Sequence, residues 1–278
     1  MKKLLALVLV LTLAFVFVGC TQPTDNGQAV DNQNQGEQNI EVPETPVGDE
    51  GGDNSISFDN LTGGETDADN TDNAETSAVM TYAEYIAAEM DSPVLIEAYV
   101  QATQSWWKDK ITVYAQNQDG AYFIYEMACS EENATKLVPG TKIRVSGYKT
   151  QWSGEIEIVD STFEIIEGEG YIAEATDVTA LLGTEELINH QNKLAAFKGM
   201  TVDAIEYKNG EPGDDIYVTV SKDGVAYSFC VEVYLTGPDT DVYKTVQGLK
   251  AGDVVDIEGF LYWYEGVNTH ITAVTVAA

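Results

Sequence analysis

Basic residues are scarce in this chain of 278 residues: 14 Lys and Arg stand against 46 Asp and Glu, a formal net charge of −32. That balance works against non-specific nucleic-acid binding, which depends on cations displacing counterions from phosphates. It also works against a polybasic membrane-docking surface, while keeping the chain soluble. Cysteine is nearly absent, with three residues, so a disulfide scaffold is excluded. Only two histidines occur, His190 and His270, and no Cys or His spacing suits a zinc site. The Gly-x-Ser-x-Gly elbow, the phosphate loop and the dinucleotide fingerprint are all missing, and no motif calls for a cofactor. Acidic pairs are so frequent that adjacency alone does not mark a general acid and base. A hydrolase built on two carboxylates is the one enzymatic alternative left open.

Long hydrophobic runs are missing too, with one exception. Met1-Lys2-Lys3 precedes an apolar stretch from Leu4 to Val18 broken only by Thr12, and Phe17-Val18-Gly19-Cys20 closes it. The stretch is too short and wrongly flanked for a membrane span and reads as a secretory signal. With a small residue directly before Cys20, it resembles a bacterial lipoprotein signal. The resemblance implies diacylglyceryl transfer to the Cys20 thiol, cleavage after Gly19, and a chain held by lipid on the extracytoplasmic face of the cell membrane. Loss of Lys2 and Lys3 would leave 12 basic against 46 acidic residues, or −34. The membrane partner is then the lipid itself, and two or more acyl chains anchor stably. Of the other cysteines, Cys129 and Cys230 fall in different halves of the chain and read as buried free thiols.

Residues 20–78 form the next segment, and from 21 onward it has no Lys or Arg and 14 Asp or Glu. It offers too little apolar surface to offset chain entropy, so a disordered acidic linker is expected. Asp67 to Asp72 resembles a calcium loop in its acidic spacing but lacks the glycine and distal glutamate of an EF-hand.

From Val79 the composition changes to Tyr, Val, Ile and Trp at strand spacing. Thr81 to Glu84 fits a capping box, and Tyr82, Tyr85, Ile86 and Met90 are expected on one helical face. Strands are expected at about 94–103, 110–117, 121–128, 141–151 and 154–166, with a hairpin turn at Asp119-Gly120 and a short helix from Ser130 to Leu137. The unit then repeats. Gly140, Gly147 and Gly154 recur 112 residues later as Gly252, Gly259 and Gly266. Ile143 and Val145 become Val255 and Ile257, so the inward positions stay apolar while outward ones change. The turn recurs as Asp223-Gly224, and eight additional residues then separate it from the fourth strand. Two domains follow, 79–167 and 171–278, joined near Glu167–Tyr171, with a helical lead-in over 177–190.

The order strand-strand-strand-helix-strand-strand resembles the OB-fold, a five-stranded Greek-key barrel. The expected class is all-β with short helices: two consecutive OB-fold-like barrels after the linker. Gly147, Gly199 and Gly259 sit where barrel strands bend, although Ala98 stands in the first unit where Gly199 stands in the second. The rival architecture, an immunoglobulin-like sandwich, has no place for the helix before strand four. The whole chain is similar to Gram-positive surface lipoproteins that carry an acidic linker and OB-like domains.

In OB-folds the ligand face spans strands two and three between the first–second and fourth–fifth loops. Those loops here carry Trp106, Trp107 and Trp152, and in the second unit Tyr262, Trp263 and Tyr264. Such rings either stack on sugars or bases or plug barrel ends and the interdomain contact. For the Trp106-Trp107 pair, one ring is expected to pack and the other to face water. Lys108, Lys110, Arg144 and Lys149 make the first unit's candidate face the least acidic part of the chain. Residues 79–278 nevertheless carry 12 basic against 32 acidic residues, net −20. A neutral glycan or an envelope protein suits that field better than a polyanion. Asp214, Asp215, Asp239 and Asp241 are loop carboxylates with a faint calcium signature. The leading expectation is a lipid-anchored binding module without catalysis. The alternatives are a single-strand nucleic-acid binder and a structural subunit of an envelope complex.

Overall fold

The computed structural model describes residues 78–277. The signal, Cys20 and the linker up to residue 77 lie outside the described residues. Described residues form one compact unit in which two sheets follow each other along the chain.

The first sheet is a closed barrel. Its strands are β1 (Pro93–Thr103), β2 (Lys110–Gln116), β3 (Ala121–Ala128), β4 (Lys142–Trp152) and β5 (Glu155–Ile165), hydrogen-bonded in the order β1-β2-β3-β5-β4 with β4 returning to β1. All pairings are antiparallel except β3 with β5, where Phe123 faces Glu157 and Ile124 faces Ile158. That ring, with its one parallel seam, is the OB-fold topology. Alternation of Val94, Ile96, Ala98 and Val100 on β1 and of Ile143 and Val145 on β4 turns one face of each strand inward. A short helix α1 (Tyr82–Ala87) plugs one end; its capping box forms as expected, with Thr81 accepting from Glu84 N and Glu84 from Thr81 N. Between β3 and β4 lies α2 (Glu131–Ala134), shorter than the expected 130–137.

The second sheet repeats the ring. After β6 (Thr176–Asp177) and two 3₁₀ turns at Thr179–Leu181 and Glu185–His190, the expected helical lead-in, come β7 (Leu194–Tyr207), β8 (Ile216–Lys222) and β9 (Val225–Val231). Two helices, α3 (Val233–Thr236) and α4 (Asp241–Gly248), precede β10 (Val254–Phe260) and β11 (His270–Val276). The strand order is β10-β11-β9-β8-β7-β6, and β10 also pairs with β7, which brings the sheet round on itself. Again the one seam within the ring that is parallel joins the third and fifth strands, at Cys230 and His270. The eight additional residues of the second unit are spent on α3 and α4, where α4 buries Tyr243 and Val246.

The repeated glycines have a steric reason. At Gly147 a β-carbon would lie 2.7 Å from Ser161 Cβ and 2.8 Å from Val159 O, and at Gly259 it would collide with the His270 carbonyl. Both sit at register shifts where the fourth strand bends against the fifth. Gly199, at a bulge in β7 with φ of 59°, completes the expected set.

Two corrections concern α1. Tyr82, Tyr85, Ile86 and Met90 line one groove as expected of a common face, but Met90 lies beyond the helix, which stops at Ala87. Tyr85 enters the core while Ile86 and Met90 face outward. Lys149, expected on an open basic face, is buried instead. Its Nζ donates to the carbonyls of Tyr85, Ile86 and Ala88 at 3.0, 2.8 and 2.8 Å, so it caps the C-terminus of α1. Cys129 and Cys230 are buried free thiols.

Candidate ligand cleft

Trp106 and Trp107 part company in the β1–β2 loop. Trp106 packs against the first core and donates from Nε1 to Cys129 O at 2.7 Å. Trp107 is 69% exposed. A two-residue turn holds it there: Trp107 N donates to Lys110 O at 3.0 Å and Lys110 N to Trp107 O at 3.1 Å. The turn residues Lys108 and Asp109 have φ of 47° and 61°. Both lie in the left-handed region, the conformation of a tight hairpin that ordinarily selects Asn-Gly. Strain of this kind is of order 1–3 kcal/mol per residue and persists only where the surroundings enforce it.

Beside Trp107 the outer ends of β2 and β3 form a floor. Glu126 accepts from Lys110 Nζ at 2.6 Å and from the Tyr125 hydroxyl at 3.2 Å, while its backbone N donates to Thr112 Oγ1 at 3.2 Å. The hydrogen bond from Lys110 holds the Glu126 carboxyl below its usual range. Lys108 makes no ion pair among the described residues, and its Nζ lies 5.2 Å from the centre of the Trp107 ring. The far wall is Tyr234 on α3, whose carbonyl accepts from Ser105 N at 2.8 Å. Together these groups enclose a cleft of about 600 Å³, within the size range of small-ligand sites. Tyr125 and Tyr234 both expose their rings.

Four sequence-predicted residues therefore meet here: Trp106, Trp107, Lys108 and Lys110. The others do not. Arg144 lies on β4, bound to Glu97 at 2.7 Å and Glu164 at 2.6 Å. Trp152 stands over Tyr264 with ring centres 5.2 Å apart, outside the cleft. Trp263 packs on the second core, and its N donates to Glu155 Oε2 at 2.8 Å. Tyr262 stacks on His270 at 4.2 Å and meets Phe123 edge-on at 5.1 Å. Tyr262 and Trp263 are packed, whereas Trp152 and Tyr264 keep exposed rings away from the cleft. Asp214 and Asp215 face Lys208 at 3.7 and 2.9 Å, and Asp241 opens α4. Among the described residues no group of three His, Cys, Asp or Glu side chains could hold a metal.

The reason the cleft sits at the rim is that the centre of the β2–β3 face is covered. Tyr114 and Phe123 point outward from the first barrel into a buried cluster with Phe260 and Tyr262 of the second. Tyr114 lies 4.5 Å from Phe260, ring to ring, and its hydroxyl pairs with His270 Nδ1 at 2.6 Å. Burial pushes the His270 imidazole down to about 3, so it is neutral. Gln116, two residues on, accepts from Leu194 N at 2.9 Å.

Sequence reasoning missed Tyr125, Glu126 and Tyr234. The first two sit in β3, where nothing in the pattern separates outward rings from core. Tyr234 had a signal, the additional length after the second Asp-Gly turn.

No family model matches the chain, and no curated protein matches it. The fold defines an OB-fold-like protein. Among solved structures, a murine DNA-binding protein bound with double-stranded DNA is similar over 68% of this chain and 97% of its own, at 13% identity and a TM-score of 0.33. The Ifi202 HINa domain in complex with a double-stranded DNA is similar over 68% and 96%, at 10% identity and a TM-score of 0.31. A replication protein A heterotrimer bound to single-stranded DNA is similar over 67% of this chain and 49% of its own, at 11% identity and a TM-score of 0.28. Similarity at this level carries no argument about what the present chain binds.

Proposed function

We propose that this protein is a non-catalytic binding module whose ligand, a glycan, seats on the rings of Trp107, Tyr125 and Tyr234. The observation that supports this reading is the strained Lys108–Asp109 turn, which holds a large indole in water beside two further exposed rings. The Lys110–Glu126–Tyr125 network adds fixed donors and acceptors of the kind that orient sugar hydroxyls. A second reading, single-stranded nucleic acid, rests on Lys108 and Lys110 beside those rings. The first is favoured because Lys110 is already bound to Glu126 and the folded part is strongly acidic.

The full chain should be tested on an array of glycans and oligonucleotides. Stacking is worth roughly 1–3 kcal/mol per ring, so Trp107→Ala should weaken binding about ten- to hundredfold with an unchanged melting temperature. A glycan ligand should bind almost equally at low and high salt. An affinity falling steeply with salt would mean phosphate recognition and the second reading. Binding untouched by both Trp107→Ala and Tyr234→Ala would refute the site.

Lipid anchorage through Cys20 at the extracytoplasmic face completes the proposal, resting on the sequence around that residue. Fatty-acid analogue labelling should mark the wild type and not Cys20→Ser; equal labelling would refute the anchor.

A further inference from the structure

The cleft between Trp107 and Tyr234 is electrically unlike the rest of the molecule. Two cations, Lys108 and Lys110, line it against a single carboxylate, Glu126, whereas residues 79–278 as a whole carry 32 acidic residues against 12 basic. Lys110 and Glu126 neutralise each other at 2.6 Å. Lys108 is left over. Among the described residues it makes no ion pair, in a fold where carboxylates are plentiful. Its turn neighbour Asp109 neither pairs with it nor lines the cleft.

Lysine is also an unfavourable residue for this position. Its φ of 47° suits asparagine or glycine better. The turn is fixed from both sides, by the paired hydrogen bonds of Trp107 with Lys110 and by Cys129 N, which donates to Asp109 O at 2.8 Å. Asparagine at 108 would ease the backbone; what lysine adds is a charge. That charge is set with Nζ 5.2 Å from the centre of the Trp107 ring, a distance at which the indole quadrupole attracts an ammonium. The free cation of the cleft therefore stands beside the surface on which a sugar ring stacks.

We infer that the glycan taken by this cleft carries one carboxylate on the sugar that stacks on Trp107, as a uronic acid does, and that Lys108 selects it. This inference rests on the glycan reading of the cleft and narrows it to acidic sugars. One carboxylate is balanced by the one unpaired ammonium. A run of phosphates is not, because each further anion meets no free cation in the cleft and faces the field of the surrounding carboxylates.

The test uses the full chain and methyl uronosides of gluco, galacto and manno configuration, each compared with its uronamide, which has the same shape and no charge. Binding is followed by calorimetry. At least one acid should bind saturably and about three- to tenfold more tightly than its amide, as one charge-assisted hydrogen bond partly open to water provides. That lead should shrink in high salt, far less steeply than the binding of a polyanion falls. Lys108→Asn keeps a residue that accepts the left-handed turn and removes the charge. It should bring the acid down to the affinity of the amide and leave the amide unchanged. Lys136→Asn, an exposed cation outside the cleft, should change neither, which separates a local contact from the overall field. Trp107→Ala should weaken acid and amide alike. Absence of saturable binding by any acid, equal affinity for acid and amide, or a preference that survives Lys108→Asn would overturn the inference and leave the glycan reading standing. Binding of both that ignores Trp107→Ala and Tyr234→Ala would overturn the cleft itself, and the two readings with it.

Discussion

Replacing Glu155 with Gln should flatten a fall in stability that burial of this carboxyl imposes as pH rises. Glu155 begins β5 and is fully buried where the two barrels meet. Its Oε2 accepts from Trp263 N and Gln191 Nε2, while Oε1 has no partner. Burial, the dominant cause, pushes the carboxyl from 4.5 up to about 8. The folded protein therefore holds a proton that the unfolded chain releases. Stability from this group is full below about pH 4.5 and is lost as pH climbs to about 8. At about 1.4 kcal/mol per pH step, the loss is on the order of 5 kcal/mol. Glutamine keeps the acceptor for Trp263 and Gln191 and cannot ionise. Wild type and Glu155→Gln should match within about 1 kcal/mol at pH 5 by urea denaturation. At pH 8.5 the variant should be the more stable, with a melting temperature higher by roughly 10 °C, since 1 kcal/mol is about 2–4 °C for a chain of this size. Some slope should survive in the variant, because burial also raises Glu157 and Glu232 to about 7. Parallel pH profiles for the two proteins would refute the reasoning.

Two further outcomes follow from the fold. Gly259→Ala drives a methyl group into the His270 carbonyl and should destabilise by about 1–3 kcal/mol in chemical denaturation. Gly252→Ala, which meets nothing but has φ of 94°, should cost less, and a reversed order would contradict the close-approach account. Fragments 79–166 and 171–278, expressed separately, should each give sheet-rich circular dichroism because each closes its own hydrogen-bonded ring. They should associate on size exclusion when mixed, since separation exposes Tyr114, Phe123, Phe260 and Tyr262. Failure to associate would mean that this ring cluster does not hold the halves together.

In the first unit strand positions were legible almost to the residue, because β1 and β4 alternate and turn residues bound the other strands. Gly147 and Gly259 announced a shared bend for the same reason: the backbone of the next strand leaves no room for a side chain. The cleft was half legible. Trp107 and Lys108 are adjacent in sequence, so the loop carrying them shows itself. Tyr234 lies 129 residues from Ser105, its hydrogen-bonded neighbour, and no local pattern encodes that meeting. Trp152 does not join the cleft, because its loop turns toward Tyr264 of the second barrel. Lys149 reads as a surface cation on charge alone. Only the three-dimensional end of α1 supplies the carbonyls that draw it inside.

The contacts that join the barrels also set a timetable for folding. Trp263 reaches Glu155 across 108 residues, and His270 reaches Tyr114 across 156. Because their cover comes from Phe260, Tyr262 and His270, the outer rings of β2 and β3 stay uncovered until β10 and β11 have been synthesised. Contacts so distant in sequence form slowly, and an early, half-covered barrel is a species prone to association. The fate of the first barrel is thus decided at β10 and β11, which have to arrive before their counterparts in other molecules do.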